Sequence, residues 1–151
     1  MEEQLLDTWK INNRIDLYLL DAIAPEVLGI SAAKGRNAAQ QFAHIHNVRL
    51  MWLKSGAPDL LEGLEKIEKE VFDKEALRRG LEASGRAIEG LLACGIAAGK
   101  IKGFKPHPTA FLGYLIAHDA YHRGEIGIIL TQLGHPLDQK TSYGMWEWGS
   151  R

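Results

Sequence analysis

Apolar residues recur every three or four positions along four long segments of the chain, which is the pattern of amphipathic helices. The segments cover about residues 3–22, 37–54, 73–95 and 108–133. Asn37 and Asp73 stand where side-chain oxygens would cap the second and third helices, and Asp7 could cap the regular part of the first. Gly134 stands just past the end of the fourth helix. No segment alternates apolar and polar residues between turn signals, so no β-strand is predicted.

Four amphipathic helices of this length most simply form an all-α four-helix bundle. A chain of 151 residues suits one domain with a sizeable core, so residues 1–151 are predicted to form a single helical-bundle domain. The stretch after Lys54 is long and charged, and it includes the sequence Glu-Lys-Ile-Glu-Lys-Glu. Such a connector allows a long crossover between helices that are not neighbours, so simple up-and-down order does not follow from the sequence.

Composition narrows the choice of partners and compartment. The formal net charge is −1 and the Lys and Arg residues are scattered, so neither nucleic acid nor an anionic membrane is expected as a partner. The longest apolar runs are far too short to span a bilayer, and the start, Met-Glu-Glu-Gln, does not resemble a signal peptide. Cys94 is the only cysteine, so no internal disulfide can form and a reducing cytoplasm is expected. The apolar neighbours of Cys94 predict a buried side chain.

Two histidines in the fourth segment carry the clearest chemical signal. His118 and His122 are four residues apart, so a helix places both rings on one face, about one turn apart. They share an apolar stripe with residues such as Leu115 and Ile129, and therefore face the bundle interior. Burying two unpaired imidazoles costs several kcal/mol. Because a metal ion would engage a lone pair on each ring, the pair predicts a metal site rather than two core histidines.

A third ligand has to come from another helix. The second segment offers His44 and His46, which are two residues apart and cannot both face one site. Each of the two has apolar residues on its own face, so periodicity does not choose between them. His107 and His135 flank the fourth helix beside prolines, and we interpret them as surface or capping residues.

Two stretches resemble motifs of a known family: Gln-Phe-Ala-His-Ile-His-Asn-Val-Arg-Leu-Met-Trp-Leu at residues 41–53, and His-Asp-Ala-Tyr-His-Arg-Gly-Glu-Ile at residues 118–126. They are similar to the second-helix and fourth-helix motifs of the DinB/YfiT-like superfamily of small helical metalloproteins. The helix pattern resembles that family along nearly the whole chain. The resemblance implies that His44, His118 and His122 bind a divalent metal ion, zinc first and nickel next, with at least one position left open. It assigns His46 no role, so we expect that ring to pack or hydrogen-bond near the opening.

The chain departs from the family pattern at two positions. Tyr121 stands where the family often has a second histidine, and Glu125 stands where it often has glutamine. Glu125 lies one turn beyond His122 and is the candidate catalytic residue, because it could orient that ring, accept a proton or add a carboxylate ligand. A salt bridge with Arg123, or with a residue across the bundle, is the alternative interpretation.

The resemblance implies an enzyme, since the family includes enzymes that transfer low-molecular-weight thiols onto electrophiles and isomerases that use such thiols. We therefore expect a metal-dependent thiol transferase, with such a thiol as cosubstrate, or a hydrolase of a small molecule. The alternative is a non-enzymatic helical stress-response or binding protein with a structural or vestigial metal, for which His46 or Glu125 could supply a fourth ligand. A zincin-type peptidase is disfavoured because Asp119 replaces the glutamate base, and a di-iron bundle because its carboxylate pairs are missing.

The C-terminal stretch Tyr-Gly-Met-Trp-Glu-Trp, at residues 143–148, is strongly aromatic. Such a tail has to cover apolar surface, either the end of its own bundle or a partner subunit. The family commonly forms homodimers, so the resemblance implies a homodimer, with Trp146 and Trp148 near the mouth of the site or the subunit interface.

Overall fold

The computed structural model describes residues 1–151 and contains four long helices, no β-strand and a short C-terminal helix. The helices are α1 (Glu2–Ala22), α2 (Ala38–Gly56), α3 (Lys74–Ala98), α4 (Pro108–Gln132) and α5 (Gln139–Gly144). Short 3-10 turns lie at Pro25–Val27, Pro58–Leu61 and Trp148–Ser150. The four long helices pack against each other, which confirms the all-α bundle.

The helix ends follow the capping signals of the sequence at most positions. The Asn37 side chain accepts from the backbone N–H of Gln40 at 2.8 Å, and the Gln40 side chain bonds back to the Asn37 N–H at 3.0 Å. The Asp73 carboxylate caps α3 in the same way. α1 begins at Glu2, close to the predicted start at residue 3, so Asp7 lies inside the helix and does not cap it.

The crossing connection lies earlier in the chain than the sequence suggested. α1 packs against α3 and α4, and α2 packs against the same two helices, so α1 and α2 lie across the bundle from one another. The segment that joins them, residues 23–37, therefore makes the crossover. The charged connector after Lys54 instead joins the neighbouring helices α2 and α3. It is held against α2 by two hydrogen bonds of 2.9 Å between the Asn47 side chain and the backbone of Ile67.

The bundle has two apolar clusters with polar side chains between them. The first cluster lies towards the Ala22 end of α1 and includes Leu19, Phe42, Ile45, Leu77, Leu81 and Ile126. The second lies towards the other end and includes Trp9, Leu53, Ile88, Leu92, Phe111 and Leu115. Between them, every long helix contributes a buried polar residue, and we call these the polar layer: Asn12, Asp16, Arg49, Ser84 and Asp119. The layer adjoins His118, which directly precedes Asp119 on α4.

The C-terminal tail folds back on its own bundle. Met145 packs against the first apolar cluster, and the Arg151 guanidinium lies 3.8 Å over the Tyr18 ring of α1. Gly144 approaches that ring so closely that a side chain would collide with the Tyr18 hydroxyl. The tail therefore covers α1, although the Trp146 indole stays 80% exposed.

Two further sequence expectations bear on the surface. Cys94 is exposed rather than buried, because the apolar stripe of α3 passes through Leu91, Leu92 and Gly95 and leaves residue 94 on the outer side. None of the helices combines the length and the apolar content that a bilayer crossing requires.

Candidate metal centre

Three histidines from α2 and α4 meet between these two helices. One ring nitrogen each from His44, His118 and His122 lies within 4.8 Å of the other two. The ring centroids are 4.5–5.3 Å apart, and the spacing of four residues in α4 places its two rings one above the other. No carboxylate, cysteine or further histidine joins the cluster. Three neutral imidazoles in this arrangement could hold one metal ion with a position left for another molecule.

The His122 ring is oriented by a chain of hydrogen bonds that the sequence did not reveal. Its Nδ1 lies 2.7 Å from the Gln41 side-chain oxygen, and the Gln41 amide nitrogen donates to the Glu125 carboxylate at 2.6 Å. Because the carboxylate fixes the direction of the amide, His122 Nδ1 carries the proton and Nε2 keeps its lone pair. Such partners set the tautomer of metal-binding histidines. The one available signal was spacing, since Gln41 precedes His44 by three residues and shares its helix face.

A buried carboxylate lies beside His118. The Asp119 Oδ1 atom is 3.5 Å from His118 Nδ1. Burial alone would raise the pKa of Asp119, but the Arg49 guanidinium and the hydrogen bond with His118 outweigh it and hold this pKa well below its usual range. The carboxylate is therefore charged and favours a proton on the facing Nδ1 atom, which directs the other nitrogen of His118 to the cluster.

His44 and His122 are neutral near pH 7. Burial, followed by the charge of Arg36, lowers the pKa of His44 to about 4. Burial also lowers the pKa of His122, and the neighbouring His118 adds to the effect. Neutral imidazole is the form that binds metal ions, so low pKa values at this cluster favour metal binding over protonation.

Glu125 lies at the edge of the cluster and does not pair with Arg123. Its Oε2 atom is 3.8 Å from His122 Nδ1, and hydrogen bonding with Tyr121 and Gln41 lowers the pKa of the carboxyl. Arg123 instead bonds to Asp16, because it lies on the α4 face that packs against α1. The salt bridge proposed between Arg123 and Glu125 was therefore wrong. Glu125 acts here as an anchor for the amide that orients His122.

The structure separates the two histidines of α2. His44 joins the cluster, whereas His46 is buried on another face, with its ring nitrogens 3.0 Å from the Gly80 carbonyl and 2.8 Å from the Glu65 carbonyl. His46 therefore does not reach the opening and cannot supply a fourth ligand. At the start of α4, the His107 side chain accepts from the backbone N–H of Ala110, which is the capping role expected of it.

The family was established by comparison with models of known families. The model of the DinB family matches residues 1–148. The chain belongs to the DinB family. This membership covers both histidine stretches that suggested it in the sequence. No curated protein and no solved structure matches the chain.

The polar layer of this DinB protein is a network of buried ions that extends to the histidine cluster. Arg49 donates to Asp16 at 2.8 Å and to Asp119 at 3.0 Å, and Asn12 donates to Asp119 at 2.8 Å. Burial, together with the nearby Asp119, raises the pKa of Asp16 to about 7. The network was missed in the sequence because a lone charged residue on an apolar stripe usually extends to solvent. Here it links the core to His118.

The donor set of this DinB protein fits a divalent transition metal. An all-imidazole site suits zinc, nickel, copper or iron, and the outer partners already orient His118 and His122. Because one ring nitrogen from each histidine lies within 4.8 Å of the other two, the three side chains could hold a single ion between them.

Proposed function

We propose that this DinB protein is a metal-dependent enzyme in which His44, His118 and His122 hold zinc or, second, nickel. The proposed reaction is transfer of a low-molecular-weight thiol onto an electrophile, or else hydrolysis of a small molecule. The observation that carries the proposal is the three-histidine cluster with no fourth protein ligand, because catalytic sites keep a position open and structural sites are closed.

The residues around the cluster would each have a defined part in such a site. When bound, a divalent ion supplies Lewis acidity, which makes a water molecule or a thiol easier to deprotonate near neutral pH. Gln41 holds His122, and Asp119 holds His118. Glu125 is a third exposed at the edge of the cluster and charged, so we propose that it accepts the proton released by the substrate.

The packing argues against a purely structural metal. Two apolar clusters and the polar layer hold the four helices together without any contribution from the histidine cluster. A structural metal would be needed for folding, as in small zinc domains. Chelation should therefore leave the bundle folded. The free energy of unfolding should fall only by the amount that binding of the ion had added to it, and the melting temperature should fall accordingly. Collapse of helical circular dichroism on adding EDTA would favour the structural alternative.

Metal content is the direct test of the proposal. Untagged protein would be incubated with zinc or nickel, dialysed and analysed by elemental mass spectrometry, alongside His44→Ala and His118→Ala. His135→Ala is the matched control, since this histidine lies outside the cluster. We expect about one ion per chain in the wild type and the control, and none in the two cluster variants. Metal in the cluster variants, or none in the wild type, would refute the site.

We also propose that the protein forms a homodimer through the outer face of α4. The exposed residues there are uncharged, and they are Gly113, Ala117, Ala120, Tyr121, Gly124, Ile128 and Thr131. Ile128 is 60% exposed, so this face presents a large apolar side chain that a partner subunit would cover. Sedimentation velocity should show a dimer in the wild type and a monomer for Ile128→Glu. A monomeric wild type at micromolar concentration would refute this assembly.

A further inference from the structure

Arg36 places a positive charge at the histidine cluster. It directly precedes Asn37, whose capping box fixes the backbone at the start of α2. One of its guanidinium nitrogens, Nη2, lies 3.4 Å from His44 Nδ1. Arg36 therefore lies at the edge of the cluster, beside the His44 ring.

Two clefts meet at Arg36, one on either side. The larger has a volume of about 570 Å³ and is lined by His44, Asn47 and residues 66–70 of the connector. The smaller has a volume of about 240 Å³ and is lined by Gln41, Glu125 and the outer side of α4. Arg36 and Gly35 line both clefts. A molecule that enters the site through the larger cleft would pass the guanidinium.

The cationic groups of the larger cleft differ in their partners. Lys66 lies 3.2 Å from the Glu68 carboxylate, and Lys69 lies 3.9 Å from the Glu70 carboxylate. Arg36 makes no ion pair, and its one polar side-chain contact is His44. The free positive charge of this cleft is therefore the one beside the histidine cluster.

Metal binding alone does not explain this placement. A guanidinium has only donors, so its contact with His44 Nδ1 competes for a lone pair on that ring. Its positive charge would also repel a divalent ion held by three neutral ligands. An anionic group on the molecule bound at the open position would remove this conflict, since it would be attracted both to the ion and to the guanidinium.

We propose that Arg36 selects substrates that carry a carboxylate or a similar anionic group close to the atom that the metal would bind. This inference rests on the proposed metal site and adds the substrate class. Arg36 would act as a specificity-determining residue. A merely structural Arg36 would support His44, and its loss would weaken metal binding. A substrate-binding Arg36 works against the metal, so its loss would leave metal affinity unchanged or increase it.

The test uses two probe thiols of the same length on the cobalt-loaded protein, mercaptoacetate and 2-mercaptoethanol. Both bring sulfur to the metal with loss of a proton, and only the first carries a carboxylate. The change in cobalt absorption on titration gives a dissociation constant for each. The variant is Arg36→Met, and Lys34→Met is the matched control, because it removes the same charge from the same loop at a residue without a contact to the cluster histidines.

We expect the wild type and Lys34→Met to prefer mercaptoacetate. In Arg36→Met this preference should fall about tenfold, as for loss of one charge-assisted hydrogen bond at a partly exposed site. Arg36→Lys should keep part of it, and cobalt affinity should not fall in any variant. An unchanged preference in Arg36→Met, or a loss of cobalt binding there, would overturn the inference and leave the metal site standing. Failure of the wild type to bind zinc, nickel or cobalt would instead remove the proposed function itself.

Discussion

Replacing Arg49 by methionine should lower the free energy of unfolding more than replacing any exposed charged residue of the protein would. The Arg49 side chain is 1% exposed and is the cation that joins Asp16 to Asp119. Methionine has a similar length, so the change removes the charge with little loss of volume. Asp16 keeps Arg123 as a partner, whereas Asp119 keeps only the Asn12 amide and the neighbouring His118. The variant therefore leaves one buried carboxylate without a full counter-charge.

The size of the effect follows from this loss of a counter-charge. Breaking a buried ion pair by removing one partner typically costs about 3–5 kcal/mol. For a domain of this length each kcal/mol shifts the melting temperature by about 2–4 °C, so the expected decrease is roughly 6–20 °C. Urea unfolding followed by circular dichroism at 222 nm, in EDTA to keep metal binding out, gives the free energy of unfolding directly. Arg79→Met is the control, since Arg79 is exposed on α3 and unpaired, and it should change stability by less than about 0.5 kcal/mol.

The pH dependence identifies the cause. Without Arg49, burial would raise the pKa of Asp119 in the folded state above its unfolded value. The folded variant then takes up a proton more readily than the unfolded chain, so it gains stability as the pH falls. The deficit relative to wild type should be smaller at pH 5 than at pH 7. Adding Asp119→Asn to Arg49→Met should recover part of it, because no charge is then left unpaired. A deficit below 1 kcal/mol, or one that is equal at both pH values and in both variants, would refute this account.

Three further predictions follow from the histidine cluster and the surface. Gln41→Leu should lower zinc affinity about 10–100-fold by releasing His122, and an unchanged affinity in a chelator-dye competition would contradict that role. The pKa of His44 is lowered in the folded state to about 4, so the metal-free wild type should lose stability relative to His44→Ala as the pH falls from about 6.5 to 4. Solvent screening limits this loss to roughly 1–2 kcal/mol. Urea unfolding that shows the wild type gaining stability relative to His44→Ala as the pH falls would refute it. Cys94 is exposed, so a disulfide reagent such as Ellman's should label it in the native protein at the rate of a free thiol; labelling only in urea would contradict that exposure.

The sequence predicted the features that depend on local spacing. The four helices, the caps at Asn37 and Asp73 and the shared face of His118 and His122 all follow from residues within one or two turns of each other. The choice between His44 and His46 depends on how α2 is rotated about its axis. That rotation is set by contacts with three other helices, and only the family resemblance anticipated it. The pairing of Arg49 with Asp16 joins residues far apart in the chain, which no periodic pattern encodes.

The polar layer also has a consequence for how the helices are aligned along their axes. Apolar side chains tolerate an axial shift of one helix past another, because each hydrophobic contact that is lost is replaced by a similar one. A shift of α2 by a single turn, about 5.4 Å, would bury the Arg49 guanidinium in hydrocarbon and leave two carboxylates without it. The layer therefore allows only one axial position of α2 relative to the helices that it packs against. His44 lies on α2 five residues before Arg49, and His118 directly precedes Asp119 on α4. The contact between Arg49 and Asp119 therefore also determines the axial position at which the two histidine rings face each other.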